Sequence, residues 1–182
     1  MSKGSAEQVT SSSSRDQDGE DTDGQLQLLT FEVGSEEYAV SILTVQEINR
    51  MMQITRVPQC ADCVEGVINL RGRIIPVVDL RKRFKLEPSE HTASHRIVVV
   101  EMEDRVIGFI VDSVHEVLRI DSSIVEPPPA TMANVDVSYV EGVGKLDDRL
   151  LILLNLSRLL DVHELGQVDQ TIASVQSPDL AA

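Results

Sequence analysis

The chain has 182 residues, of which 42% are hydrophobic, enough to bury a core either as one domain or as two small lobes. Thirty acidic and 16 basic side chains give a formal charge of −14, while aromatic residues make up only 3%. Such a chain repels phosphate backbones and offers no base-stacking surface, which argues against nucleic acid as a partner.

The N-terminus and the two cysteines bear on the location of the protein. No apolar signal segment opens the sequence, and its apolar runs, such as Ile97–Val100, are too short to span a bilayer. Two cysteines without a secretion signal do not describe a disulfide framework. We therefore expect a cytoplasmic protein with no direct membrane insertion.

Residues 1–25 are rich in Ser, Asp and Gly, and we predict that they form a disordered acidic tail, which could tune solubility or act as a contact site. Order is expected to begin at Leu26, where apolar residues alternate on both sides of the polar turn Gly34–Glu37 and predict a hairpin. From Val45 to Met52 the apolar spacing fits a helical turn and a twisted strand equally well.

A second hairpin pattern occurs twice in the chain. Residues 65–81 contain an apolar strand, a glycine-containing turn and a second strand rich in β-branched residues, and residues 141–156 repeat this pattern at an offset of 76. Asp79 and Asn155 follow the second strand of their copies. Each is predicted to cap a short helix, because its side chain can accept from the free amides of the next turn.

The segments that precede these hairpins also correspond to each other. At an offset of 69, Val45 aligns with Val114 and Glu47 with Glu116. The change of offset from 69 to 76 places seven extra residues in the connection 127–138 of the second half. The chain is therefore interpreted as a duplicated unit.

Two copies of about five short apolar strands predict a mainly β fold with two SH3-like five-stranded barrel subdomains and short helices. We expect subdomain 1 at about 26–92 and subdomain 2 at about 93–161, packed as one unit within residues 26–165. Residues 166–182 are expected to form a C-terminal tail, where the pattern allows a short helix.

Four side chains have the composition of a zinc site. Cys60 and Cys63 have C-x-x-C spacing, and His91 and His95 could complete the set. However, the gap of 27 residues between Cys63 and His91 exceeds the spacing of about 12 to 15 in zinc fingers, and a thioredoxin-type pair would need a βαβ context. We interpret the thiols as small side chains in a loop or at a helix start, and we predict no metal site.

No catalytic group of residues is evident in the sequence. The segment Gly142–Gly144 lacks the rest of a phosphate-binding loop, and His115 has no identifiable Ser or Cys partner. Asp79 and Asp112 could form an acid pair, but Asp79 is assigned to a helix cap and Asp112 to a strand–turn junction. We therefore predict a non-enzymatic protein without a cofactor.

One charged residue distinguishes the two copies. Arg71 lies in the turn of the first copy, where the second copy has Asp147, so the shared fold alone does not require an arginine there. Glu47 is its nearest plausible partner in the same half. An exposed pair would contribute about 0 to 1 kcal/mol to stability, whereas a pair at the centre of an interface could contribute about 2 kcal/mol or more to binding.

Four blocks occur together in this chain: Val45–Ile48, Gly66–Gly72, Ile75–Arg81 and Gly108–Val114. In combination, and over about residues 26–165, they resemble the CheW family of bacterial chemotaxis coupling proteins. The resemblance implies two SH3-like barrels. It also implies an adaptor that joins the cytoplasmic tips of chemoreceptors (methyl-accepting proteins) to the regulatory domain of the histidine kinase CheA, so that the protein is recruited to membrane-associated receptor arrays.

The resemblance also implies a receptor-coupling surface. We expect the isolated chain to be a monomer. The alternatives are a regulatory module of another chemosensory-type pathway with the same fold, a small-ligand-binding β-barrel, and a metal or redox protein that uses its two cysteines. The residues implied for the receptor-coupling surface are Val45, Glu47, Gly66, Arg71, Gly108 and Val117.

Overall fold

The computed structural model describes residues 24–131, 136–160 and 162–176. Residues 1–23 of the predicted disordered tail lie outside the described residues, as do residues 177–182 of the predicted C-terminal tail. The described part contains eleven strands and two α-helices. In chain order they are β1 (Gln25–Val33), β2 (Glu36–Ser41), β3 (Val45–Arg50), β4 (Val64–Leu70), β5 (Arg73–Asp79), α1 (Leu80–Arg83), β6 (Arg96–Met102), β7 (Arg105–Val111), β8 (Ser113–Asp121), β9 (Val125–Glu126), β10 (Val140–Lys145), β11 (Leu150–Leu154) and α2 (Val162–Gln176).

The strands form two sheets. Sheet A has the order β8-β1-β2-β11-β10-β9, and sheet B has the order β3-β6-β7-β5-β4. Neighbouring strands are antiparallel except for one parallel pair in each sheet, β11 with β2 and β5 with β7. The fold is therefore mainly β with two SH3-like units, which confirms the predicted fold class. Sheet A has a sixth strand, the two-residue β9.

The strands are distributed between the sheets differently from the predicted division near residue 92. Sheet A joins β1 and β2 of the first half to β8–β11 of the second, and sheet B joins β3–β5 to β6 and β7. The third strand of each half crosses over, because β3 pairs with β6 and β8 pairs with β1. The duplicated halves are thus intertwined. Apolar periodicity identifies strands but carries no information about which strand each will pair with.

Three apolar cores explain why the central strands are apolar on both faces. In β6, Ile97 and Val99 pack inside sheet B, while Val98 and Val100 point into a larger core that draws on both sheets. Strand β11 alternates in the same way between the core of sheet A and this shared core. Each fully buried Val, Leu or Ile contributes about 1.5 to 3 kcal/mol, so the shared core holds the two sheets together as one body.

The segment after the first hairpin is a strand, which settles the alternative that the sequence left open. Strand β3 pairs antiparallel with β6, with a bulge between Val45 and Glu47. The connection 127–138, where the offset placed seven extra residues, runs from β9 to β10, and its residues 132–135 lie outside the described residues.

The two predicted caps have different outcomes. The Asp79 side chain accepts a hydrogen bond from the Arg81 amide at 2.9 Å, which confirms the cap of α1. Asn155 precedes the 3-10 helix Leu156–Arg158, but its side chain makes no capping bond, so that prediction is wrong. At this 3-10 turn the Arg158 amide donates to the backbone carbonyl of Asn155 at 3.2 Å.

Helix α2 packs against sheet B, in a region where the sequence allowed a short helix. Val168 of α2 is buried, its Glu164 pairs with Arg83 at 3.0 Å, and its Asp169 pairs with Arg105 of β7. Within residues 24–131, 136–160 and 162–176, no helix combines the length and the hydropathy that a membrane span needs.

Candidate functional site

Arg71 lies at the tip of the β4–β5 hairpin. Arg71 and Gly72 have left-handed backbone, with φ of 51° and 84°, as a two-residue hairpin turn requires at both central positions. The Gly72 amide donates to Asn69 Oδ1 at 2.9 Å and fixes the turn. The turn therefore projects one long side chain, Arg71, of which 76% is exposed.

Arg71 and Glu47 are in contact, as the sequence predicted. Arg71 Nη2 donates to Glu47 Oε1 at 2.6 Å. Glu47 lies on β3, at the edge of sheet B, so the pair links an edge strand to the hairpin tip. Because the arginine is largely in water, the pair contributes only about 0 to 1 kcal/mol to stability. The other N–H groups of the Arg71 guanidinium can donate to a planar acceptor on another protein.

The two glycines of the predicted surface have structural reasons to be glycine. Gly66 has φ of 150° at a bulge in β4, and a Cβ there would overlap the Thr55 carbonyl oxygen, to which the Val67 amide is bonded. Gly108 is buried in β7, where a Cβ would lie 2.8 Å from Ile97. These positions shape the backbone of sheet B and offer a partner no side chain.

The two valines lie on different sheets. Val45 is half-buried at the start of β3 and packs against the shared core. Val117 is 51% exposed on β8 of sheet A, opposite Leu29 of β1. The predicted residues thus span both sheets, and a direct side-chain contact joins Glu47 and Arg71.

A second arginine cluster lies on sheet A, and the sequence did not point to it. Arg149 Nη2 lies 3.1 Å from Glu116 Oε1, and Arg149 Nε lies 2.8 Å from Glu37 Oε2. The carboxylates, Glu37 foremost, raise the pKa of Arg149. His115 lies beside the same cluster, with Nδ1 3.6 Å from Glu37.

This cluster reduces the contrast that the alignment indicated between the two copies. Glu116 aligns with Glu47, so each half places an arginine on the corresponding glutamate. The second hairpin keeps the offset of 76 across its turn, so Arg149 aligns with Arg73 and lies two positions after Asp147, the residue aligned with Arg71. The arginine two positions after Asp147 was visible in the sequence and could have indicated this contact.

A partly buried ion pair, here called the clamp, connects two of the four sequence blocks. Arg81 binds Asp112 through Nε at 2.8 Å and Nη2 at 2.7 Å, and the Gly34 amide donates to Asp112 Oδ2 at 2.9 Å. Burial alone would raise the pKa of Asp112, but these hydrogen bonds hold it below the ordinary value. The clamp joins the chain where it passes from sheet B to sheet A. Two-point hydrogen bonding of this kind fixes geometry as well as charge.

His95 lies against this clamp. It is 5% exposed, its Nδ1 accepts from the Thr92 amide at 2.9 Å, and its Nε2 is 3.5 Å from Asp112 Oδ1. Burial lowers the pKa of His95, which favours the neutral ring. Burial also raises the pKa of the neighbouring Asp79. These groups form a structural junction between β1, β5 and β7.

The cysteines are free thiols. Cys63 is buried, and burial raises its pKa, so its thiolate is disfavoured. His91 and His95 lie beside Asp79 and Asp112, respectively. In the part of the chain that the structure describes, no group of three His, Cys, Asp or Glu side chains is placed to hold a metal ion.

Known proteins are similar to this chain in sequence and in fold. The sequence profile of the CheW-like domain matches residues 27–164. The chemotaxis protein CheW of Klebsiella aerogenes is 36% identical over 148 residues, covering 81% of this chain and 89% of the relative. That of Helicobacter pylori is 37% identical over 142 residues, covering 78% and 85%. The crystal structure of the scaffolding protein TtCheW from Thermoanaerobacter tengcongensis, 39% identical, matches with a TM-score of 0.71 over 76% of this chain and 94% of that one. The chain belongs to the CheW-like domain family.

Proposed function

We propose that this member of the CheW-like family is a chemotaxis coupling adaptor that joins the cytoplasmic tips of chemoreceptors to the regulatory domain of the histidine kinase CheA. The observation that carries the proposal is the exposed Arg71–Glu47 pair, held at a hairpin tip on a chain of this family. Because an adaptor acts by binding, the state of the receptor can bias the kinase through differential contacts, without catalysis by the adaptor itself.

The receptor-coupling surface in this proposal combines three kinds of contribution. Arg71 and Glu47 supply the charged contact, and their geometry leaves guanidinium donors open to a partner carboxylate. Val45 and Val117 supply apolar contact. Gly66 and Gly108 act indirectly, because they allow the backbone of sheet B to take the path that positions the hairpin and β3.

The organisation of the chain follows from this role. Residues 26–165 form the adaptor unit, and residues 166–182 form a C-terminal tail that includes most of α2. The protein works in the cytoplasm and is recruited to membrane-associated receptor arrays. In isolation it is a monomer, since it carries a large net charge of −14 that opposes self-association.

Reconstitution of the three components tests the proposal. Purified chain, receptor cytoplasmic fragments and CheA would be combined, and both co-sedimentation and kinase activity would be measured with parent protein and with Arg71→Ala. Arg73→Ala is a matched control, because Arg73 is an exposed arginine two residues away. We expect Arg71→Ala to reduce receptor coupling and the control to retain it.

Two results would contradict the proposal at different levels. Parent protein that binds neither receptor fragments nor kinase would overturn the adaptor function. Normal coupling with both Arg71→Ala and Glu47→Ala would leave the adaptor role intact but remove this pair from the surface. Unfolding midpoints of all variants show whether a loss of coupling reflects a loss of fold.

A further inference from the structure

The β4–β5 turn places an arginine at a position that arginine does not favour. Leu70 and Arg73 pair directly, so the turn consists of Arg71 and Gly72 alone, and Arg71 takes a φ of 51°. The first position of such a turn favours Asn, Asp or Gly, because these residues enter the left-handed region more easily than other residues. Local turn chemistry therefore does not explain the arginine, and such exceptions are most common at functional sites.

Asn69 makes a contact that holds this turn. Its side-chain Oδ1 accepts a hydrogen bond from the Gly72 amide at 2.9 Å. Asn69 is exposed near the end of β4, opposite Ile74 of β5. The bond therefore ties the second position of the turn to the strand that leads into it, a local contact for which asparagine side chains are well suited.

Another hairpin of sheet B reaches the same turn conformation without this contact. The turn Glu103–Asp104 between β6 and β7 has φ of 45° and 66°. Two residues before it, where the first hairpin has Asn69, lies Glu101, whose Oε2 accepts from Gln46 Nε2 at 2.6 Å. The twist of the paired strands thus suffices to form a left-handed turn. The bond of Asn69 is not needed for the hairpin to fold, and its effect should be on how firmly the tip is held.

The corresponding hairpin of the second copy has neither the asparagine nor the left-handed turn. At the offset of 76, Lys145 stands at the position of Asn69, and Asp147 and Asp148 stand at the positions of the two turn residues. Neither aspartate has a positive φ. The two copies therefore differ together in the residue before the turn, in the turn conformation and in the presence of an arginine at the tip.

The Arg71 side chain is thereby held at both ends. Glu47 Oε1 accepts from its guanidinium at 2.6 Å, and the bond between Asn69 and Gly72 fixes the backbone from which the side chain starts. A long side chain that is held in this way loses less conformational freedom when it binds a partner. Both contacts should therefore contribute to affinity, although only one of them touches the arginine itself.

We propose that Asn69 is a positioning residue of the receptor-coupling surface. Its hydrogen bond to the Gly72 amide holds the hairpin tip so that Arg71 reaches Glu47 and presents its other N–H groups to the receptor. Asn69 acts through Arg71 and makes no contact with the receptor. The inference rests on the proposed coupling function and adds a residue through which that surface is fixed.

Binding of receptor cytoplasmic fragments to the full chain tests the proposal. We expect Asn69→Ala to weaken binding about five-fold, mainly through faster dissociation, because the tip is no longer fixed before binding. Asn69→Ser should give an intermediate affinity, since its hydroxyl can accept the same bond more weakly. Lys145→Ala is a matched control, because Lys145 is exposed at the corresponding position of the second hairpin and should leave binding unchanged.

Two further measurements separate positioning from a general loss of structure. Exchange of the Gly72 amide proton, followed by NMR, should be several-fold faster in Asn69→Ala than in the parent, while the urea unfolding midpoint stays close to that of the parent. In a double-mutant cycle, Arg71→Ala alone and Arg71→Ala with Asn69→Ala should bind equally weakly, because Asn69 acts only through the arginine.

The following results would overturn the proposal. Parent affinity in Asn69→Ala, or unchanged exchange of its Gly72 amide, would show that the contact does not position the tip. A further loss of binding in the double variant would show that Asn69 contacts the receptor directly. A loss of binding that follows a lowered unfolding midpoint would assign Asn69 to the fold. Parent protein that binds no receptor fragment would instead overturn the coupling function itself, a result that is distinct because it appears before any substitution.

Discussion

The two sheets of this protein differ in charge although they share one fold. Residues 45–111, which build sheet B, carry ten Lys or Arg and nine Asp or Glu. Residues 25–44 and 112–160, which build sheet A and its connections, carry four and eleven. The net charge of −14 for the whole chain is therefore not representative of either sheet. Sheet B presents Arg71 from a balanced background, which suits an acidic partner group, whereas the acidic sheet A suits a basic one.

The arginine–glutamate contacts of the two sheets differ in the same sense. Arg71 meets one carboxylate and is largely in water, so most of its hydrogen-bonding capacity remains for a partner. Arg149 meets Glu37, Glu116 and Asp148, and its charge is already compensated within the chain. A shared position in the fold thus does not give a shared capacity for binding.

Alanine substitutions at the corresponding glycines of the two sheets should give the largest difference in stability. We expect Gly66→Ala to cost about 3 kcal/mol or more, because its Cβ would overlap the backbone at Thr55 and its φ of 150° disfavours a side chain. Gly142→Ala meets mainly the Val125 side chain, which can adjust, and should cost about 1 to 2 kcal/mol. Urea unfolding measures both. Gly144→Ala, where the nearest atom is 3.6 Å away, serves as control. Equal losses at residues 66 and 142 would contradict this explanation.

Substitutions at the corresponding positions 81 and 157 of the two halves should give the next largest difference in stability. We expect Arg81→Met to cost about 3 kcal/mol, because Asp112 would remain partly buried without its guanidinium partner. Ser157→Ala, at the corresponding position of the second half, should change stability by less than about 0.5 kcal/mol. Thermal and urea unfolding of the two variants measure the difference. A stable Arg81→Met protein would show that the clamp does not hold the two sheets in place.

The two arginine–glutamate contacts should differ in how much they contribute to receptor binding. We expect Arg71→Ala to weaken receptor coupling about thirty-fold, equal to about 2 kcal/mol, while stability changes by less than about 1 kcal/mol. Arg149→Ala should leave receptor coupling within about threefold, since its guanidinium is engaged by carboxylates of its own chain. Titration of receptor fragments measures both affinities. Stronger loss in Arg149→Ala than in Arg71→Ala would reverse the assignment of the sheets.

The smallest expected effect is a dependence of stability on pH at the His95 junction. Burial lowers the pKa of His95 from its ordinary 6.5, so the folded protein binds fewer protons there than the unfolded chain. Stability should therefore fall as pH decreases from about 6.5 towards the lower pKa of the folded state. Asp112, with its lowered pKa, adds a further loss below about pH 3.8.

Urea unfolding between pH 7 and pH 5 measures the contribution of His95. In His95→Gln the fall across this range should be smaller than in the parent, because the replaced side chain does not titrate. His163→Gln, on α2 with an exposed side chain, should keep the parent slope. An unchanged slope in His95→Gln would mean that the ring is protonated in both states or in neither.

Local features of the fold were accessible from the sequence, and long-range ones were not. The turn at Arg71–Gly72 and the cap at Asp79 follow from residues that are neighbours in the chain. The Arg71–Glu47 contact was predicted because charge and chemistry left few partners within one half. The Arg81–Asp112 clamp spans 31 residues and crosses between halves, and neither the spacing nor the offsets indicated it.

The exchange of strands between the halves could not be predicted from the sequence either. Both side-by-side and intertwined barrels satisfy the same alternation of apolar residues, because each central strand is buried on both faces in either arrangement. The choice depends on how the halves pack, which only the pairing of β3 with β6 and β8 with β1 reveals.

The intertwined order of strands determines which sheet can form first during synthesis on the ribosome. Sheet B is complete in sequence once β7 has been translated, but sheet A waits for β11, whose Ile152 and Leu153 pair with Tyr38 and Ala39 of a hairpin made more than a hundred residues earlier. Strand β1 can pair with β8 once residues 113–121 have been made, but β2 remains without its second partner until β11 follows. Nascent chains stalled before β10 should consequently contain a finished sheet B beside a β8-β1-β2 sheet whose β2 edge is unpaired, the form most in need of a chaperone.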